Sequence, residues 1–188
     1  MAFLYNQKLR KFTLTILLLW SSAFFWLLNS NLAINIAVSV VSFVCLLFIL
    51  YERNAHFIAI YLSFITSFVL YGYMLVNNFP VWLIMIGVML IFLYLFAYLE
   101  QKVEIIKNER IIYLFIFSLL SLETFLFLGY YLISPTNRSL ILSLLVYLIY
   151  GFCDAILSKK KTVEIYPYIL VFLLVFATML LTASWGQI

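Results

Sequence analysis

Any chemistry this chain performs would have to begin at Glu123. It stands at the middle of Ile111 to Ser134, IIYLFIFSLLSLETFLFLGYYLIS, a stretch long enough to cross a bilayer. An ionisable group at that depth is costly, so it is read first as functional. A second constellation lies just beyond. Ser139, Ser143, Tyr147, Tyr150, Asp154 and Ser158 follow one another by three or four residues, so they share one helix face. Folding the two stretches into a hairpin with its turn near Thr136 sets Glu123 level with about Ile149, between Tyr147 and Tyr150. The spacing predicts that Glu123 points into the bundle. Its expected hydrogen-bond partner is Tyr147 or Tyr150, or a Ser or Thr of the second or third helix. Tyr130 shares the Glu123 face of its own helix and completes the candidate intramembrane site. Two chemistries fit that arrangement: a tie between helices, or a group that takes up and releases a proton.

Other polar positions rank lower. Asp154 falls about one turn from a helix end, close to Lys159, Lys160 and Lys161, and reads as a structural carboxylate within lysine reach. Asn35, Ser39 and Ser42 share a face of the second helix and read as helix-packing groups before substrate contacts, while Ser143 is a secondary member of the hydroxyl stripe facing the candidate site. His56 is the chain's one histidine and is placed at a membrane edge beside Arg53.

Missing parts exclude much enzymology. Asp154 is the only aspartate, so no aspartate pair can share a proton. One histidine rules out an H-E-x-x-H zinc helix, and no acidic cluster suggests a metal. No G-x-S, P-loop or dinucleotide-binding glycine run is present. Neither catalytic residues nor a cofactor is expected. Cys45 and Cys153 both fall inside apolar helices and read as buried free thiols.

The elements that must position these residues are membrane helices. Hydrophobic residues make up 68% of the chain and charged residues only 10%, too few to coat a soluble domain of 188 residues. The expected fold is all-α: a polytopic bundle of seven transmembrane helices, over about 12–28, 32–51, 56–76, 81–99, 111–134, 139–157 and 166–183. One integral membrane domain, with no soluble domain, occupies 1–188. The first helix follows a basic head but lacks a small-x-small cleavage pattern, so it is expected to be retained. The fourth carries no Ser, Thr, Asn or Gln and is expected on the lipid-facing outside. The third shows His56, Ser63, Thr66 and Ser67 on one face.

Charge sets the orientation. With the N-terminus in the cytoplasm, all of the 11 Lys and Arg residues except Arg138 fall on the cytoplasmic side, and the C-terminus lies outside. The net charge of +4 therefore orients helices and does not imply nucleic acid. The expected partners are the lipid bilayer and another membrane protein.

The final third carries a resemblance. Leu122-Glu123-Thr124-Phe125, then Tyr131-Leu132-Ile133-Ser134-Pro135, then the tyrosine-bearing helix and Thr182-Ala183-Ser184-Trp185, resemble small seven-helix membrane proteins of unknown function from candidate-phylum bacteria. That resemblance implies a multipass protein of the cytoplasmic (inner) membrane and supplies no activity. Three functions stay open: a structural or assembly subunit of a membrane complex, a small proton-coupled transporter or channel using Glu123, and an intramembrane lipid-modifying enzyme using Glu123 or Asp154 as base.

Overall fold

A computed structural model describes residues 7–76, 80–100, 107–130, 134–157 and 166–182. Among them are seven helices and no strand: α1 Gln7–Leu28, α2 Leu32–Tyr51, α3 Ala55–Val76, α4 Val81–Glu100, α5 Lys107–Gly129, α6 Pro135–Leu157 and α7 Tyr166–Thr182. Five of them, α1 to α5, are long and apolar enough to cross a membrane by length and composition. That suits a multipass membrane protein.

The bundle is organised around α3, where the sequence points to the 111–134 stretch. From Ile58 to Gly72, α3 presents buried or half-buried residues round its whole circumference. It packs against α1, α2, α4 and α6; α5 lies against α4 and α6, and α7 against α6. The reason is side-chain size. Ala55, Ala59, Ser63, Thr66 and Ser67 share one broad face and let neighbours close in there, while Gly72 admits Leu28 of α1 on another side. The Ser63 and Thr66 hydroxyls cost little, because they turn back on the helix. Ser63 Oγ donates to the Ile60 carbonyl at 2.7 Å, and Thr66 Oγ1 to Leu62. Between the small residues stand large apolar ones. Phe68 lies 4.3 Å from Phe25 of α1, ring to ring, and Tyr71 lies 4.1 Å from Phe125 of α5.

Successive helices run in alternating directions. One end of the bundle gathers the start of α1 and the ends of α2 and α4, through Arg10, Glu52 and Tyr98. The opposite end gathers Phe24 and Tyr73 from the ends of α1 and α3, and Tyr71 with Arg138 from the end of α3 and the start of α6.

Local signals explain most boundaries. Asn31 caps α2, its side chain accepting from the Ala33 and Ile34 amides at 3.0 and 3.3 Å. α1 begins at Gln7 and α5 at Lys107, five and four residues before the expected starts, and two further differences flank one turn. The apolar stretch 111–134 is not a single helix: α5 stops at Gly129, and Tyr130 turns away. The helix expected from 139 begins at Pro135. Ser134 caps it, its Oγ accepting the Asn137 amide at 3.3 Å, and proline fits the first helical position, where no amide hydrogen is needed. Residues 135–138, left between the two expected helices, are thus the first turn of α6, with Ser134 as its cap.

The expectation for α4 holds over its first half only. Ile86 and Leu90 are exposed, yet Leu95 to Leu99 are all buried. Apolarity does not by itself place a helix against lipid, because apolar side chains pack equally well against protein.

A polar clasp closes the Arg10 end. Glu52 occupies the left-handed cap position after α2, with φ 54°. Its carboxylate accepts from Gln7 Nε2 at 2.6 Å and Arg10 Nη2 at 3.3 Å, and Lys11 Nζ lies 3.4 Å away. Lys11 also donates to the Leu50 carbonyl at 2.8 Å, and the Arg10 guanidinium lies 5.6 Å from the Tyr98 ring centre. Desolvation pushes the Glu52 carboxyl up, but the Gln7 hydrogen bond and the Lys11 and Arg10 charges outweigh it, leaving it below its ordinary 4.5. A depressed carboxyl stabilises the fold above its unfolded value and loses that contribution as pH falls through the folded value. Acidification below about 4.5 should therefore loosen the α1–α2 contact, and Glu52→Gln should remove the pH dependence. The expected loss is at most about 1 kcal/mol, as for a partly exposed pair. Thermal unfolding in detergent at several pH values measures it; equal acid sensitivity in both proteins would exclude the clasp as its source.

Candidate functional site

Glu123 does not point into the bundle. It is exposed on the outward side of α5, and no described residue hydrogen-bonds or pairs with it. The reversal has a helical cause. Ser118, Ser121, Leu122, Phe125 and Leu128 are the buried residues over the same turns. That face is fixed by Phe125, fully buried under Tyr71, and Glu123 stands two positions before it, far round the helix. The carboxyl is also shallower than a mid-helix position. At about 1.5 Å per residue it lies roughly 9 Å before the end of α5 at Gly129.

The tyrosines expected around it go elsewhere. Tyr130 is 87% exposed, in the turn after α5. Tyr147 is half-buried and faces α7: its ring lies 5.0 Å from Tyr168, and Tyr168 covers Gly151 one turn further along α6. Both tyrosines of that contact are thus spent on seating α7. The side chains of Tyr150 and Asp154 lie outside the described residues, so their expected roles have no counterpart in the described site.

Ser39, Asn35 and Ser143 make their hydrogen bonds to nearby groups of the bundle. Ser39 Oγ accepts from Trp26 Nε1 at 2.8 Å and donates to the Asn35 carbonyl at 2.9 Å. Asn35 is buried, its Nδ2 donating to the Asn29 carbonyl at 2.9 Å. Ser143 is buried and donates to the Leu140 carbonyl at 2.8 Å. Ser42 belongs to a three-helix chain of hydroxyls: 2.9 Å to Ser22 of α1 and 2.7 Å to Tyr61 of α3, which donates onward to the Val38 carbonyl at 3.0 Å. Chains of this kind tie helices where no water competes. Tyr61 and Ser143 also line an apolar groove of about 340 Å³ between α2, α3 and α6. Glu123 is not among its lining residues.

Among the described residues one buried charged side chain escaped the sequence reading. Arg138, placed by its charge in an extramembrane connection, is 6% exposed within the first turn of α6. Its guanidinium lies 5.6 Å from the centre of the Tyr71 ring. The Tyr71 hydroxyl donates to the Phe125 carbonyl at 2.9 Å, so a single aromatic residue joins α3, α5 and α6. The Ser-Pro cap before Arg138 was the available signal, since it starts the helix early enough to carry Arg138 into the packed layer.

Among the described residues no group of three or more His, Cys, Asp or Glu could hold a metal ion. Cys45 is buried and not in a disulfide. No family model matches the chain, and no curated protein or solved structure is significantly similar to it. The geometry alone carries the functional argument.

Proposed function

We propose that this chain is an assembly subunit of a membrane complex, and that it docks through the outward face of α5. The observation carrying this reading is Glu123. A carboxyl in an apolar, span-length helix is expensive against lipid and needs hydrogen-bonding company. This chain's described residues provide none, so the company is supplied by whatever covers α5.

The reading includes a seven-span topology in the cytoplasmic membrane, with the N-terminus inside and the C-terminus outside. Lys8, Arg10, Lys11 and Arg53 belong to one end of the bundle, as do the chain positions of Lys107 and Arg110, while Arg138 belongs to the other. That asymmetry supports the cytoplasmic assignment of the first end. A proton-coupled carrier or a lipid-modifying enzyme built on Glu123 would need it to face an interior path. Its outward position lends them no support.

Native electrophoresis in mild detergent tests the assembly reading. The wild-type protein should migrate above a single chain, and Glu123→Leu should release it to the monomer position. A wild-type protein that is monomeric in both native membranes and mild detergent would overturn the reading.

A further inference from the structure

We infer that an ordered water molecule is bound between Ser67 of α3 and Ser121 of α5, inside the square formed by α3 to α6. In that square α3 packs on α4, α4 on α5, α5 on α6 and α6 on α3, so α3 and α5 face each other across the diagonal. Both serines are fully buried, and no described residue hydrogen-bonds to either Oγ. Other buried hydroxyls show what these helices do by default. Ser63, Thr66, Ser118, Ser139 and Ser143 all turn back onto carbonyls of their own helix. Ser67 and Ser121 do not, so each aims its hydroxyl elsewhere. A buried hydroxyl without a partner is costly, and folded proteins leave few of them.

Placement makes these two hydroxyls one site. α3 and α5 run in the same direction, because successive helices alternate. Tyr71 spans the diagonal, stacked on Phe125 at 4.1 Å and donating to its carbonyl at 2.9 Å. Ser67 and Ser121 stand one turn before these two residues, on the same helix faces. The stack therefore sets both the level and the facing of the serines. Two aromatic rings fill the space between the helices at one level, and two much smaller side chains meet it at the next. The two hydroxyls are too far apart to bond each other. Room and convergent polar groups are the two conditions for a buried water. Water also suits the chemistry. It can accept from one hydroxyl and donate to the other, with its second hydrogen left for a helix carbonyl, which carries two lone pairs. A cation would need a fuller shell of oxygens than two hydroxyls. An apolar guest would leave both hydroxyls unpaired. The bound water thus links α3 to α5 one turn away from the aromatic contact that already joins them.

The test uses the full chain in lipid bilayers, with isotope-labelled serine, and solid-state NMR that follows magnetisation from water into side chains. In the wild-type protein the Ser67 and Ser121 signals should build up several-fold faster than that of Ser118, which is equally buried but bonded to its own helix. Ser67→Ala should slow the build-up at Ser121 to the Ser118 rate, and Ser121→Ala should do the same at Ser67, because each removes one partner of the shared water. Ser118→Ala should change neither. Build-up no faster than Ser118 at either serine of the wild-type protein would overturn the inference, since that hydroxyl would then be dry. Fast build-up at Ser121 that survives Ser67→Ala would overturn it as well, because the serines would then hold separate waters. The wild-type comparison depends on no variant, and an unshifted Ser63 signal shows that each variant keeps its packing.

Discussion

Tyr71→Ala should unfold the protein more readily than any other single truncation in the bundle, by about 3–5 kcal/mol, the range for emptying a fully buried aromatic site. Tyr71 is the largest fully buried side chain among the described residues. Its ring stacks on Phe125 at 4.1 Å with a 12° interplanar angle, and its other neighbour is the Arg138 guanidinium at 5.6 Å. Truncation would remove the stacking, leave a cavity where α3, α5 and α6 meet, and strip a buried cation of its aromatic face. The last effect makes the loss larger than packing alone, since a buried charge that loses a partner is penalised more than an apolar neighbour. Tyr71→Phe separates the parts. It deletes only the hydrogen bond to the Phe125 carbonyl, and interhelical hydrogen bonds in membranes average about 0.6 kcal/mol. Denaturant unfolding in mixed micelles would read both. A Tyr71→Ala protein within about 1 kcal/mol of wild type would show that the aromatic junction does not hold these helices together.

The helices were legible because their ends carry local chemistry. Asn31 before α2, Pro80 before α4 and Pro167 in the first turn of α7 mark starts that no tertiary contact needs to explain. The boundary between α5 and α6 was lost for the opposite reason. Apolar residues run on through Gly129, Tyr130 and the residues after it, and hydropathy does not register a break that leaves composition unchanged. Misplacing that turn shifted the hairpin register, and with it the level assigned to Glu123.

Orientation was the harder quantity. In a soluble helix the apolar stripe faces inward, so periodicity gives the buried side. In α5 both sides are apolar: Leu122, Phe125 and Leu128 face the bundle, while Ile112, Phe115 and Ile116 face out. The hairpin spacing points Glu123 inward because the α6 stripe offers hydroxyls at its expected depth and lipid offers none. That argument decides only between this chain's interior and lipid, and a partner protein is a third environment it does not weigh. The central position of α3 was closer to being readable. A face of small residues, as Ala59, Ser63, Thr66 and Ser67 form with Gly72 across from them, marks a helix that neighbours approach closely. Counting them, in place of searching for the most conspicuous charge, would have put α3 at the centre.

Gly151→Ala should undock α7. In an isolated helix this change is favourable by roughly 1 kcal/mol, because alanine is the better helix former. Here the added Cβ would meet the Tyr168 ring: Cγ in direct overlap, with Cδ1 at 2.5 Å and Cδ2 at 2.8 Å. A flexible chain end could swing aside. The tyrosine ring is rigid and lies against Tyr147, with centroids 5.0 Å apart, so it can give way only by carrying α7 with it. The overpacking penalty, about 1–3 kcal/mol, should exceed the helix-propensity gain and make the net effect destabilising. Gly72 provides the contrast: its added Cβ would press on Leu28 Cδ1 at 2.5 Å, the tip of a flexible side chain, so Gly72→Ala should be tolerated. The readout is the reactivity of a cysteine placed at Ile169, half-buried on α7. The double variant Gly151→Ala, Tyr168→Ala should recover protection, because removing the ring removes the clash; the favourable coupling should exceed about 1 kcal/mol. If Gly151→Ala instead stabilised the protein, helix propensity alone would govern the site, and the close approach of Tyr168 would not be what seats α7.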